Sequence, residues 1–133
     1  MVNQKLIEQI QADFLPIWTE RNILGVLLYG SHALGMETLR SDIDICVVAP
    51  GEDIMDLLSF IWQNVNVSLK KYDVRVFHEL PLYIKIQVIE KGILIYSTDK
   101  YELYEFFFVY RKIWADQKFR NTLSKEELLS LKM

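Results

Sequence analysis

Little in this chain could staple it, anchor it in a membrane or draw it to nucleic acid by charge. It has one cysteine, Cys46, in 133 residues, so no disulfide framework is available. With only two histidines besides, no ligand set shows zinc-site spacing. No apolar run approaches the roughly 20 residues needed to cross a bilayer, and no basic segment followed by an apolar one opens the chain. No membrane association is therefore expected, and the expected location is cytoplasmic. A basic excess is missing as well: 15 Lys and Arg stand against 18 Asp and Glu, a net charge of −3. That balance argues against broad electrostatic binding, so no direct nucleic-acid binding is expected. Internal repeats, low-complexity tracts and linkers are also absent. What remains is 51% hydrophobic, too apolar for a disordered chain and long enough to bury a core without staples. A single domain over residues 1–133 is expected.

The pattern of apolar residues predicts alternating helices and strands. Leu6, Ile7, Ile10, Phe14, Ile17 and Trp18 recur at helical spacing over residues 3–21, with Pro16 late enough to kink the helix. Residues 23–29 are short, continuous and apolar, as a strand buried on both faces would be. A short helix over 31–35, a loop over 36–41 and a strand over 42–49 follow. Ile54, Leu57, Leu58, Ile61 and Trp62 form one stripe of a helix over 53–65. Residues 71–77 alternate Tyr72, Val74 and Val76 against Lys71, Asp73 and Arg75, a strand with one polar face. Pro81 is placed to open a helix that Gly92 ends; a strand over 93–96 and a helix over 99–120 complete the chain. The order is α-β-α-β-α-β-α-β-α, an α/β fold with a small mixed β-sheet flanked by helices.

The segment from Tyr29 to Ile45 carries the chemistry. A strand ends at Gly30-Ser31, a second glycine follows at Gly35, and Ser41-Asp42-Ile43-Asp44 opens the next strand. Gly30 lets the backbone approach a ligand, and Ser31 sets a hydroxyl beside amides that open a helix, an arrangement suited to phosphate. Asp42 and Asp44, two apart on a strand, project from one face. Carboxylates so close repel each other unless a cation lies between them, and magnesium favours carboxylate and phosphate oxygens. Asp73, on the polar face of a neighbouring strand, is the candidate third acid. The residues alone support a metal, a nucleotide and phosphoryl-type transfer.

Gly30-Ser31-His32-Ala33-Leu34-Gly35 followed by Ser41-Asp42-Ile43-Asp44 resembles the nucleotidyltransferase superfamily of the DNA polymerase β type. In particular it is similar to the minimal nucleotidyltransferases (MNT) that are paired with HEPN-domain toxins. The resemblance extends over about residues 20–97, including Tyr72-Asp73-Val74 and Glu79-Leu80-Pro81-Leu82. It implies that Asp42, Asp44 and Asp73 hold Mg2+ and that Asp73 activates the acceptor hydroxyl. It further implies that Gly30 and Ser31 hold the triphosphate of ATP, with help from Ser41. The chain departs from the pattern at Leu34, where the family commonly has arginine, so a guanidinium near the phosphates is missing. Arg40, Lys70, Lys71 and Arg75 are candidates to replace it. His32 reads as a partly exposed turn residue, and His78 as another.

The implied function is that of an antitoxin that transfers AMP from ATP to a tyrosine of a HEPN ribonuclease toxin. Two alternatives stay open: a non-catalytic partner that blocks the toxin by complex formation, and an antibiotic nucleotidyltransferase. The chain is short for the helical substrate domain of the latter. The last helix bears on the choice, because residues 103–110 leave almost no polar face. Such a helix must be buried on several sides. Either the N-terminal helix covers its outer face, or it is an interface to the HEPN protein or to a second copy in a homodimer. Phe107 and Tyr110 are candidates for the outward face, which the all-round apolar pattern leaves open, and residues 121–133 are read as a charged tail mobile at its end.

Overall fold

The structure, a computed structural model, describes residues 3–131, with side chains described over 3–120. Helix α1 (Gln4–Glu20) is capped by Asn3, whose side chain accepts from the Lys5 N–H, and it runs through Pro16 without ending. Strand β1 (Gly25–Tyr29) is buried along its whole length, as its unbroken apolar sequence predicts. Helix α2 (Ser31–Leu34) is a single turn, and β2 (Ile43–Val48) is the second strand. Helix α3 (Ile54–Asn64) buries Leu57, Leu58 and Ile61, and Asp53 caps it by accepting from the Asp56 N–H. Then come α4 (Val67–Lys70), β3 (Tyr72–Val76), a 3-10 turn (Phe77–Glu79), α5 (Leu82–Lys91), β4 (Ile93–Ser97) and α6 (Lys100–Leu131).

The four strands lie in the order β3-β2-β1-β4. β1 is antiparallel to both neighbours, while β2 and β3 run parallel. The sheet is therefore mixed, and the parallel pair is joined by a crossover through α3 and α4, as parallel strands require. One face is packed by α1 and α3 around Ile10, Phe14, Ile45 and Leu57. The other is packed around Leu27, Phe77, Val88, Leu103 and Phe107, the last two from α6. This is the expected α/β sandwich.

The sequence reading needs correction in several places. Residues 65–71 form the extra turn α4, capped by Asn66, whose side chain accepts from the Leu69 N–H. A four-residue helix is too short to show a period. Asp42 lies before β2 rather than in it. Gly92 ends α5, but in extended backbone at φ −67° instead of the left-handed conformation; glycine is needed there because a Cβ would run into the Val88 carbonyl. Helix α6 does not stop near residue 120. Residues 121–131 contain neither glycine nor proline and include leucine, lysine and glutamate, good helix formers that carry the helix on. The expected mobile end concerns residues 132–133 and side chains beyond 120, which lie outside the described set.

On α6 the inward row is Leu103, Phe106, Phe107 and Tyr110; Leu103 is 1% and Phe107 3% exposed. The outward row is Tyr101, Tyr104 and Phe108, 72%, 59% and 58% exposed. Both candidates for the outward face, Phe107 and Tyr110, thus belong to the inward row. Helix α1 sits on the opposite face of the sheet, so nothing in the described chain covers the outer face of α6.

Candidate active site

The site forms where β1 ends and its neighbours β2 and β3 begin. Tyr29 is the last residue of β1 and lies opposite Asp44 in the antiparallel register; Asp44 in turn lies beside Asp73 in the parallel one. Adjacent strands are about 4.8 Å apart, so the two acids are held as lateral neighbours on one face of the sheet. The chain leaves β1 at Gly30 with φ 73° and ψ −150°, a conformation open to glycine. A Cβ at this position would overlap the Asp44 carboxylate. Gly30 is therefore needed both for its backbone angle and for its approach to Asp44.

A pocket of about 420 Å³ opens here, lined among others by Tyr29, Gly30, Asp44, Asp73, Arg75 and Glu79. Burial holds the Asp44 carboxyl above the usual range, and the charges of Asp73 and then Asp42 push the same way, against His32 and Arg75. The Tyr29 hydroxyl is raised mainly by burial and secondly by Asp44. The Arg75 Nε–H donates to Asp73 Oδ1 at 3.1 Å, and Asp73 holds the guanidinium above its ordinary value. Glu79 is exposed, and its Oε1 accepts from the Val76 N–H at 2.9 Å and closes the 3-10 turn.

The other candidates are more scattered. Asp42 is exposed at the entry to β2 and does not line this pocket, although its charge acts on Asp44. Ser31 opens α2, whose C-terminal Gly35 donates back to the Ser31 carbonyl. Ser41 Oγ accepts from the Thr38 N–H at 2.8 Å and thereby closes the 36–41 loop. It faces a second, larger cavity of about 570 Å³ together with His32, Lys70 and Lys71. His32 is half-buried and its Nε2 has no hydrogen-bond partner. Leu34 is 42% exposed. His78 is an exposed turn residue against Phe77 and Phe106, and burial followed by Lys85 lowers its pKa.

Among the described residues, no three His, Cys, Asp or Glu side chains gather into a group that could hold a metal ion. The fit to magnesium rests instead on the Asp44–Asp73 pair, with the Asp42 charge nearby. Magnesium is usually held by one or two carboxylates, with substrate phosphates and water completing its shell. A cation between Asp44 and Asp73 would offset the repulsion between the two carboxylates. Sequence reasoning missed Tyr29 and Glu79 as pocket residues. Tyr29 was legible as the residue before the Gly-Ser turn; Glu79 depends on the 3-10 turn, which leaves no periodic signal.

The family model described as polymerase beta, nucleotidyltransferase, matches residues 15–101. The chain belongs to that nucleotidyltransferase family. A Methanocaldococcus jannaschii protein bearing the name "putative protein adenylyltransferase" is 45% identical over 98 residues, 74% of this chain and 75% of its own. Among solved structures, a toxin–antitoxin complex with AMP-PNP aligns with a TM-score of 0.64 at 17% identity, covering 90% of this chain and 98% of that one. A complex of tri-AMPylated Shewanella oneidensis HEPN toxin with its MNT antitoxin aligns at 0.65 and 13% identity, covering 92% and 98%. The fold is thus the nucleotidyltransferase fold of the MNT proteins, and the chain is a nucleotidyltransferase of the adenylyltransferase group. No helix among the described residues is long and apolar enough to cross a membrane.

Proposed function

We propose that this nucleotidyltransferase is the antitoxin of a HEPN ribonuclease toxin and transfers AMP from ATP to a tyrosine hydroxyl of that partner with the help of Mg2+. The observation that carries the reading is the lateral pairing of Asp44 with Asp73 beside the Gly30 turn. The 45% identity to a protein named for adenylyl transfer supports the reaction type. The fold shared with MNT antitoxins, one of them crystallised with a tri-AMPylated HEPN toxin, supports the partner.

In this reading Gly30 and Ser31 cradle the triphosphate at the head of α2, and Ser41 keeps the following loop closed. Asp44 and Asp73, with Asp42 at the rim, hold the cation. When bound, magnesium neutralises phosphate charge and orients the attacking and leaving oxygens. Asp73, at the outer edge strand, takes the proton from the acceptor hydroxyl. A bond forms between that oxygen and the α-phosphorus, the bond to the β-phosphate oxygen breaks, and pyrophosphate leaves. Little more is needed, because such transfer is mostly positioning and charge neutralisation.

Asp44→Asn keeps the side chain's size and removes its charge. Incubated with labelled ATP and a HEPN-domain toxin as partner, the parent chain should label that partner. Asp44→Asn should label it at least about a hundredfold more slowly, a loss of the size that electrostatic groups at the reacting centre give. Equal labelling by the two would leave the blocking partner as the better account.

A further inference from the structure

Four cations were candidates to replace the arginine missing at Leu34, and the structure separates them. Arg40 lies exposed in the 36–41 loop. Lys70 stands 3.6 Å from Asp13 and, with Lys71, faces the larger cavity across that loop. Arg75 alone of the four lines the pocket that holds Gly30, Asp44 and Asp73. It reaches there because β3 alternates, so Arg75 projects from the same face as Asp73, two residues earlier.

The way Arg75 is held suits a phosphate. Its Nε–H donates to Asp73 Oδ1, and its side chain is 53% exposed. The Nη nitrogens donate to no side chain among the described residues, so the flat outer edge of the guanidinium keeps its donors. That edge matches the spacing of phosphate oxygens, which an ammonium does not. Among the described residues lining the pocket there is no other cation to balance Asp44, Asp73 and Glu79.

We propose that Arg75 binds the triphosphate through its Nη edge while Asp73 anchors its Nε, so that β3 supplies the guanidinium which the family usually sets ahead of its second glycine. The inference rests on the nucleotidyl-transfer reading and deepens it. It also gives Asp73 a third task, as the orienting partner of a phosphate-binding residue. The chain then departs from its family in where the arginine stands, not in whether one is used.

The test compares ATP and AMP binding by calorimetry, with magnesium, in the parent, Arg75→Gln, Arg75→Lys and the double variant Leu34→Arg/Arg75→Gln. Arg75→Gln should weaken ATP binding by about tenfold to a hundredfold, the range of a lost charge-assisted hydrogen bond, and leave AMP binding within about twofold. Arg75→Lys should recover only part of the loss, and Leu34→Arg should restore most of it from the other side of the turn. All variants should melt with the parent, since the residue is half exposed. Unchanged ATP binding in Arg75→Gln, or equal losses for ATP and AMP, would overturn the proposal while leaving the transfer reading intact. A parent that binds no ATP and labels no partner would overturn both.

Discussion

Gly30 sits where two demands meet. The backbone must turn sharply out of β1, and the Asp44 carboxylate must lie against that turn. A methyl group added here would be strained by φ 73° and would push Asp44 from its place beside Asp73. Strain of this kind costs about 1–3 kcal/mol. Gly30→Ala should therefore lower stability to urea by that amount and reduce partner labelling more steeply than the stability loss accounts for. A folded Gly30→Ala protein with parental activity would show that Asp44 tolerates the shift. Ser41 carries less weight, since it is engaged in holding its own loop. Cys46, by contrast, is a fully buried thiol raised by burial, and serves as a small core residue.

At the scale of the elements, the sequence told most where one face was buried and the other was not. Residues 71–77 could be read as a strand with Asp73 and Arg75 on its polar side because Tyr72, Val74 and Val76 alternate with them. Asp42 could not be separated from Asp44 in the same way, because whether pairing begins at Ile43 depends on the loop before it. The orientation of α6 was illegible for a different reason. Its aromatic residues run all round, and only the position of the sheet decides that Leu103, Phe106, Phe107 and Tyr110 face in. Tyr101, Tyr104 and Phe108 are left out, lining a shallow apolar groove with Glu105. Phe108→Glu should then leave the melting temperature within a few degrees of the parent while weakening association with the proposed HEPN partner. Phe107→Ala should cost about 3–5 kcal/mol by opening a hole in the core. If Phe108→Glu unfolds the protein and Phe107→Ala does not, the two faces have been exchanged.

Seen whole, the molecule is divided by its sheet. Helices α1 and α3 fill one side with hydrophobic core, and the acids of the proposed site emerge on the other, at the end of the sheet that α5 and α6 leave open. The parallel pairing of β2 with β3 is what joins the two halves of the site, since Asp44 comes from one and Asp73 from the other. Nothing between them in the chain is chemically active, yet the residues at 65–71 decide how far β3 travels before it pairs. Asn66 starts the short turn of α4, and Lys71, in left-handed backbone at φ 59°, ends it. Because side chains alternate along a strand, a shift of one residue would turn Asp73 and Arg75 toward the core and present Tyr72 or Val74 to the nucleotide. A single alanine inserted after Asn66 tests this. If the loop absorbs it, labelling survives; if β3 slips, activity is lost although no reactive residue has changed. On the proposed mechanism the length of a bland connection is then as much a condition of activity as the acids, and related chains should tolerate substitutions across 65–71 far better than insertions.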